Sequence, residues 1–250
     1  MEEFSSWNSY WSFAYHACHE FRFIHSPSIQ RFLDRVRETA AQRILTVKSG
    51  SPLWRARLVT QWEDVKNEAG DVIGNQECPV PPSEMKPISW KAREGRVNPA
   101  GIPCLYLSEH RETALSEVRP WVGASISVAQ FDVAVDQKIV NCVSEHPLTK
   151  FYLTEPSAVK KEEAVWDHIN KGFSRPITHN DFIADYAPTQ ILTEVFRSAG
   201  YNGIRYQSSL GIGANVVLFN LDAVVPRSCC VFCVKKLAYE FEQHSNIHAY

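Results

Sequence analysis

The chain has 250 residues, with 26 Lys and Arg against 28 Asp and Glu, so its formal net charge is −2. Because binding to a phosphate backbone depends on clustered cationic side chains, this balance argues against a nucleic-acid-binding protein and against a charge-driven membrane surface. The hydrophobic fraction of 44% and the aromatic fraction of 12% are sufficient for a packed core, which excludes disorder as the main state.

The compartment is predicted from the first residues and the cysteines. The N-terminal segment, MEEFSSWNSYWSF, is acidic and aromatic, unlike a secretory signal. No run reaches ~18 uninterrupted apolar residues, so we expect no transmembrane helix. The 7 cysteines are an odd number in a chain too long to need covalent staples. We therefore expect a cytoplasmic protein with reduced thiols.

Residues 1–50 are predicted to form a helical N-terminal extension. Apolar residues recur at helical spacing from Ile29 to Ala40, and Ser26 and Pro27 are suited to cap and open a helix. This helix is expected to run to about residue 46. An aromatic-rich stretch precedes it and is expected to pack on the domain that follows.

Residues 51–250 are predicted to form one mixed α/β domain. The predicted elements of the first half are a strand at 52–59, a long loop or hairpin at 61–88 of the kind that covers a site, a strand at 102–107, and a helix from a Ser108 N-cap to Val118. The second half is predicted to contain strands at 125–133 and 138–143, a helix at 158–170, a helix after Pro188, and strands at 203–206, 214–219 and beyond Ser228. The irregular alternation favours the α+β class over a doubly wound sheet.

Three segments carry a family resemblance: LWRAR near residue 55, GRVNPAGIPCLYLSEHRETALSEV at 95–118, and YQSS at 206–209. Together they resemble the RES domain family, named for an Arg, a Glu and a Ser, over roughly residues 52–235. The resemblance implies an ADP-ribosyltransferase-like split sheet with surrounding helices. It also implies an enzyme that cleaves the nicotinamide–ribose bond of NAD+, with phosphate (a phosphorylase) or water (a glycohydrolase) as acceptor.

The same resemblance implies partners and cofactors. NAD+ is a substrate and inorganic phosphate a co-substrate, so no separate cofactor is expected. Many members of the family are toxins held by an Xre-like antitoxin, and such a partner is expected here.

Four residues match the catalytic positions of the family: Arg55, Tyr106, Glu117 and Ser208. The nicotinamide of NAD+ is already cationic and departs neutral, so one carboxylate is sufficient, and Glu117 is expected to stabilise the cationic ribose of the transition state. Arg55 is expected to anchor the diphosphate, because a guanidinium is a fixed donor fork. Tyr106 would place the nicotinamide ribose, and Ser208 would support the glutamate.

Six further residues are candidates for substrate binding. Arg57 lies two residues beyond the strand arginine and is an alternative to it, and Arg96 is a second candidate for phosphate contact. Ser209 is the neighbour and rival of the catalytic serine. The remaining candidates are Asn98, Tyr206 and Asn215.

Two other functions stay open. An ADP-ribosyltransferase acting on a protein would use the same residues and would need an exposed docking surface beside them. A non-catalytic interaction module could instead hold zinc through Cys230, Cys233, His244 and His248. The gap between the inner pair of these ligands is shorter than the usual finger spacing and the segment reads as a strand, so the main prediction includes no metal.

Overall fold

The structure of the chain is a computed structural model that describes residues 3–144, 152–176 and 183–241. Its α-helices are α1 (Ser9–His19), α2 (Pro27–Ala40), α3 (Arg111–Glu117), α4 (Ala158–Ser174) and α5 (Ala187–Ser198). Its strands are β1 (Ile44–Val47), β2 (Pro52–Arg57), β3 (Thr60–Lys66), β4 (Val72–Pro79), β5 (Leu105–Ser108), β6 (Ser125–Val133), β7 (Gln137–Asn141), β8 (Gly203–Gln207), β9 (Ala214–Leu218) and β10 (Val224–Cys233).

Eight of these strands form one mixed sheet in the order β1-β7-β8-β9-β5-β2-β6-β10. Strands β7 and β8 run parallel, and the other neighbours run antiparallel. Strands β3 and β4 form a separate two-stranded hairpin. The α+β class with N-terminal helices, predicted from the sequence, is confirmed.

Both faces of the sheet bury apolar side chains. On one face α1, α2, α4 and α5 enclose a core that includes Phe13, Trp166 and Phe196, all fully buried. The opposite face buries Phe131 and Met85 together with the leucines of β5. Burial on both sides makes the sheet the rigid frame on which the polar side chains described below are held.

The N-terminal extension is part of this core. Phe13 of α1 and Val36 of α2 have no exposed surface and pack in the same cluster as the helices of the second half. Helix α2 ends at Ala40, and residues 44–47 pair with β7, so the prediction of a helix to residue 46 is wrong there. The segment Ile-Leu-Thr-Val is rich in β-branched residues, which fit a pleated edge better than a helix.

The polar stretch at 61–88 contains a hairpin. Strands β3 and β4 pair in antiparallel register, and Glu77 accepts hydrogen bonds from Thr60 Oγ1 at 2.7 Å and from Ser125 Oγ at 2.9 Å. The bond from Thr60 lies within the hairpin, and the bond from Ser125 attaches the hairpin to the start of β6. Among the described helices, none is long and apolar enough to cross a membrane.

Strands β2 and β5 barely touch. They share one registered pair, Trp54 with Ser108, whereas the other edge of β2 pairs with β6 along all of Pro52–Arg57. Beyond that single pair β2 and β5 diverge, so the sheet opens into a cleft between them. The polar side chains singled out by the sequence gather around this cleft.

Candidate functional site

The carboxylate of Glu117, the last residue of α3, is held by two hydrogen bonds. Ser208 Oγ and Asn215 Nδ2 both donate to its Oε1, each at 2.7 Å. Bonds of this length to an ionised acceptor are among the stronger hydrogen bonds of proteins. The second oxygen, Oε2, accepts no hydrogen bond from the described residues. One oxygen therefore orients the group, and the other is available to a ligand.

The direction of the Ser208 hydroxyl is set by its own turn. Its oxygen accepts hydrogen bonds from the backbone N–H groups of Leu210 and Gly211, both at 3.1 Å, so its proton is directed to Glu117. The turn lies close to α3: a Cβ at residue 211 would lie 2.9 Å from the Cα of Thr113. Glycine is therefore required for this approach.

The orientation of the Asn215 amide is set in the same way. Its Oδ1 accepts a hydrogen bond from Ser108 Oγ at 2.7 Å, which turns its NH₂ group toward Glu117. Ser108 and Asn215 are directly opposite in the β5–β9 register. The prediction that Ser108 caps α3 is wrong, because the N-cap position belongs to His110 and Ser108 is the last residue of β5.

Two cavities flank the Glu117 carboxylate, of about 230 Å³ and about 200 Å³. Tyr106, Glu117, Tyr206 and Asn215 line both of them. We call the larger one the Trp54 cavity, after the side chain that forms one of its walls. We call the other the arginine cavity, because three arginines line it. Glu117 thus stands at the boundary between two differently built spaces.

The arginine cavity collects Arg96, Arg119 and Arg175. Arg96 Nη1 donates to the carbonyl of Gly172 at 3.1 Å, and its guanidinium lies 5.5 Å from the ring centre of Tyr186. Three guanidinium groups against two carboxylates, those of Glu94 and Glu117, leave the lining net positive, which favours an anionic ligand. The planar fork of each guanidinium suits phosphate oxygens.

Two backbone features shape this cavity. Arg119 has a φ of 48°, the one positive φ among the described non-glycine residues, and it ends α3 in the conformation that glycine usually provides. Gly172, whose carbonyl receives Arg96, faces the α1 side chain Tyr10, and a Cβ there would collide with the phenol oxygen. Helix α1 therefore packs directly behind the anchor of Arg96.

Tyr206 forms a wall common to both cavities. Its ring stacks on Phe173 at a centroid distance of 5.7 Å, and the residue is buried. Burial, and secondarily the negative charge of Glu117, raises the pKa of Tyr206 above its ordinary value. Its phenol therefore stays protonated and is a neutral hydrogen-bond donor at the boundary.

The walls of the Trp54 cavity include the apolar residues Trp54, Leu107 and Val118. Arg55 reaches into it from β2 and bridges the open part of the sheet, where its Nη1 donates to the carbonyl of Tyr106 at 2.8 Å. Arg55 Nε is sealed from solvent and has no hydrogen-bond partner among the described residues. Burial, and secondarily the nearby Arg57, lowers the pKa of Arg55 to about 10.

The Trp54 ring is held from the side of α3. The guanidinium of Arg111 lies 5.8 Å from the ring centre of Trp54 and 5.2 Å from that of Phe232 on β10. A cation between two aromatic rings gains from both of them. This contact fixes the wall of the cavity relative to α3, which also carries Glu117.

Tyr106 is anchored by the loop before β5. Its hydroxyl donates to Asn98 Oδ1 at 2.7 Å and accepts the N–H of Val97 at 3.0 Å. Burial raises the pKa of Tyr106 well above its ordinary value. A Cβ at position 95 would lie 2.6 Å from the Tyr106 hydroxyl. Only glycine therefore allows the loop to lie this close to the hydroxyl.

Helix α5 holds this loop. Gln190 Nε2 donates to the carbonyls of Gly95 and Asn98 at 2.8 and 3.0 Å, and Thr189 Oγ1 donates to the carbonyl of Arg96 at 2.6 Å. The side-chain amide of Asn98 donates a hydrogen bond to the carbonyl of Arg93. Asn98 is therefore a buried support of Tyr106.

The predicted residues divide into three groups. Five surround the boundary, namely Tyr106, Glu117, Tyr206, Ser208 and Asn215. Arg55 lines the Trp54 cavity, whereas Arg96 and Ser209 line the arginine cavity. Arg57, Asn98 and the described residues of 61–88 line neither, and Arg57 Nη1 donates to the carbonyl of Glu84.

The sequence interpretation missed four side chains at the site: Trp54, Ser108, Arg119 and Arg175. Trp54 and Arg119 lie within two residues of predicted site residues, and that proximity was a usable signal. The role of Ser108 depends on the β5–β9 register, and the placement of Arg175 depends on how α4 packs. Neither could be identified from a local pattern.

No metal centre is found within the part of the chain that the structure describes, where no three His, Cys, Asp or Glu side chains converge. Cys230 and Cys233 are exposed thiols of β10. His244 and His248 lie outside the described residues. The zinc-binding alternative therefore stays a prediction.

Comparison with known proteins gives a family match. The model of the RES domain matches residues 79–241, more than half of the chain, and includes Tyr106, Glu117 and Ser208 but not Arg55. No curated protein matches the sequence. A solved structure, the crystal structure of the M. tuberculosis MbcT-MbcA toxin-antitoxin complex, is similar with a TM-score of 0.42 and 14% identity, covering 79% of this chain and 92% of that chain.

Proposed function

The chain belongs to the RES domain family, and on this premise we propose that it cleaves the nicotinamide–ribose bond of NAD+ and transfers the ADP-ribosyl group to inorganic phosphate or to water. The observation that carries the proposal is the Glu117 carboxylate. Ser208 and Asn215 hold one of its oxygens by hydrogen bonds, and the residue lines two cavities. A preorganised negative charge of this kind stabilises a developing cation without reorganising during the reaction.

The chemistry requires one such carboxylate. The C1–N bond of the nicotinamide ribose breaks, and its electron pair goes to the ring nitrogen, so the leaving group becomes neutral. The ribose carbon becomes oxocarbenium-like, and Glu117 Oε2 stabilises that charge. The acceptor oxygen then bonds to the carbon and, when it comes from water, gives up a proton. Both phosphate and water fit this sequence.

We place the ADP portion of the substrate in the arginine cavity. A diphosphate carries negative charge in a compact form, and Arg96, Arg119 and Arg175 all line that space. Tyr106 and Tyr206, which border both cavities, would contact the ribose between them. The expectation that Arg55 anchors the diphosphate competes with this placement.

The test is nicotinamide release from NAD+ by purified protein, followed by chromatography with and without inorganic phosphate. We expect release by the wild type and its loss in Glu117→Gln. Phosphate-dependent ADP-ribose-1″-phosphate would identify a phosphorylase, and phosphate-independent ADP-ribose a glycohydrolase. No release from NAD+ under either condition would contradict the proposal, and labelling of an added protein would then favour the transferase alternative.

We also propose an Xre-like antitoxin as partner, because the family resemblance includes such pairs. The proposal rests on that resemblance alone. Purification of the tagged protein from its native cells would test it: a small protein bound at stoichiometric amount that suppresses NAD+ loss is expected. A protein recovered alone, with full activity, would contradict it.

A further inference from the structure

Glu94 is a second carboxylate of the arginine cavity, which Glu117 also lines. It lies in the loop before β5 and is half-buried. Gln190 Nε2 donates to its Oε1 at 3.1 Å, whereas its Oε2 accepts no hydrogen bond from the described residues. Gln190 also donates to the carbonyls of Gly95 and Asn98, so the loop that carries this carboxylate is bound to α5. One oxygen of Glu94 is therefore held, and the other is available to a ligand.

The arginines of the cavity do not pair with Glu94. Among the described residues no ion pair includes its carboxylate. Because an ionised carboxylate only accepts hydrogen bonds, Glu94 cannot bind the phosphate oxygens that the guanidinium groups favour. It needs a ligand group that donates. Each ribose of NAD+ carries two neighbouring hydroxyls, which donate and match the two oxygens of a carboxylate.

Glu94 and Glu117 would then contact different riboses. In the proposed reaction the nicotinamide ribose lies at Glu117, because the scissile bond is there. The diphosphate connects this ribose to the adenosine ribose, and three arginines line the space assigned to the diphosphate. Glu94 lines the same space. The ribose that follows the diphosphate is therefore the one left for Glu94.

A carboxylate at the adenosine ribose distinguishes two dinucleotides. NADP+ differs from NAD+ by a phosphate on the 2′-hydroxyl of that ribose, which removes a donor and adds up to about two negative charges. Arginines by themselves accommodate such a phosphate, so the guanidinium groups of the cavity do not exclude NADP+. Glu94 opposes it, because a negative charge that faces another across a binding site lowers the affinity for the wrong ligand.

We propose that Glu94 is a specificity-determining residue, which binds the hydroxyls of the adenosine ribose and rejects a 2′-phosphate, so that the protein acts on NAD+ in preference to NADP+. The inference rests on the function proposed above and on its placement of the diphosphate. It adds the class of dinucleotide that the site accepts.

The decisive variants are Glu94→Gln, which removes the charge, and Glu94→Asp, which keeps it. Nicotinamide release gives kcat/KM for NAD+ and for NADP+. We expect the wild type to prefer NAD+ about 100-fold or more, and Glu94→Gln to reduce this preference about tenfold or more while KM for NAD+ rises a few-fold. Glu94→Asp should keep most of the preference. Glu84→Gln is the matched control, because Glu84 is exposed and lines neither cavity.

Ionic strength separates charge repulsion from a structural role of Glu94. Salt screens the repulsion between Glu94 and a 2′-phosphate, so the preference of the wild type should shrink between about 0.05 and 0.5 M NaCl. In Glu94→Gln the preference should depend less on salt. Equal turnover of NAD+ and NADP+ by the wild type would overturn the proposal. So would an equal loss of both activities in a folded Glu94→Gln, which would show that Glu94 only supports its loop.

Failure of the proposed function is a separate result. If the wild type releases no nicotinamide from either dinucleotide, calorimetric titration with ADP-ribose and with ADP-ribose 2′-phosphate still tests the role of Glu94. Binding of ADP-ribose that is tighter by about tenfold or more in the wild type, with a smaller difference in Glu94→Gln, would support it. Equal affinity for the two ligands, or no binding of ADP-ribose, would overturn it.

Discussion

The two cavities beside Glu117 differ in how their cations are arranged. The arginine cavity has three guanidinium groups, and Arg96 among them is bound to a carbonyl and lies over a tyrosine ring. Among the described residues the Trp54 cavity has one, Arg55, whose Nε is sealed from solvent. Several cations suit a ligand with more than one negative oxygen, whereas a single buried donor suits one carbonyl.

The number of cations alone therefore does not identify a diphosphate anchor. Arg55 and Arg96 are both conspicuous in the sequence, and each contacts the site from one side. Their surroundings distinguish them, because Arg55 lines the Trp54 cavity and Arg96 lines the arginine cavity.

The largest effect is expected at the boundary itself. Glu117→Gln removes the negative charge but keeps an oxygen that can accept from Ser208 and Asn215. Loss of preorganised stabilisation of a cationic transition state should lower kcat by about 10³-fold or more. Single-turnover nicotinamide release measures it, and a variant within tenfold of wild type would show that the carboxylate is not essential.

A charge-removing change in the arginine cavity should act on binding. Arg96→Gln takes away one fork and its contact with Gly172, so we expect KM for NAD+ to rise about 10- to 30-fold with kcat reduced less. For Arg55→Gln we expect a smaller rise in KM, because Arg55 does not line the arginine cavity. Steady-state kinetics of both variants decides whether the two cavities have different tasks, and Arg43→Gln is the control because Arg43 lines neither cavity. Equal KM and kcat effects in both would remove the distinction.

The support of the carboxylate should show graded effects. Asn215→Ala deletes a direct bond to Glu117 Oε1, and we expect kcat to fall about tenfold. Ser108→Ala acts only through the orientation of Asn215, so we expect kcat to fall only a few-fold. If Ser108→Ala were the more damaging of the two, the hydroxyl would have a direct role instead. Measurement of kcat at saturating NAD+ separates these cases.

A smaller effect on activity but a clear one on stability is expected from Gly95→Ala. The added methyl would meet the Tyr106 hydroxyl at 2.6 Å and force it away from Asn98. Overpacking of this kind costs about 1–3 kcal/mol of unfolding free energy. Thermal denaturation followed by circular dichroism should show a lower Tm. Gly74→Ala, where nothing lies within 4 Å of the new methyl, is the control.

The smallest effect lies away from both cavities. Burial, and secondarily Lys171, lowers the pKa of His168, which is buried among Trp7 and Trp11. His168 therefore binds a proton more readily in the unfolded chain than in the folded protein. The free energy of unfolding decreases as the pH falls through about 6.5. We expect Tm to decrease between pH 7.5 and pH 5.5, and less so in His168→Gln. An identical decrease in both proteins would assign the effect to other groups.

Much of the fold was predictable because its signals are local. Strand β6 coincides with the alternating segment 125–133, and α5 begins beside the proline that was expected to open a helix. The segment at 44–47 was wrongly predicted as the end of a helix. A short apolar run next to a helix fits both the helical and the strand periodicity, and only its pairing with β7 shows that it is a strand.

The candidate site was predictable in part. Glu117 and Ser208 come from segments 91 residues apart and meet through a hydrogen bond, which the resemblance anticipated. The partnership of Ser108 with Asn215 arises from strand register, and the separation of Arg55 from Arg96 arises from the opening of the sheet between β2 and β5. Such relations are properties of three-dimensional packing and leave no short sequence pattern.

The contact of Tyr10 with Gly172 bears on how the protein can be shortened. Arg96 is bound to the carbonyl of Gly172, and the Tyr10 side chain lies against that same residue from α1. The N-terminal helices lie outside the segment that the family model matches. A fragment trimmed to that segment would lose the helix that packs behind one wall of the candidate site, so a shortened version of this protein must carry its first helix or replace it.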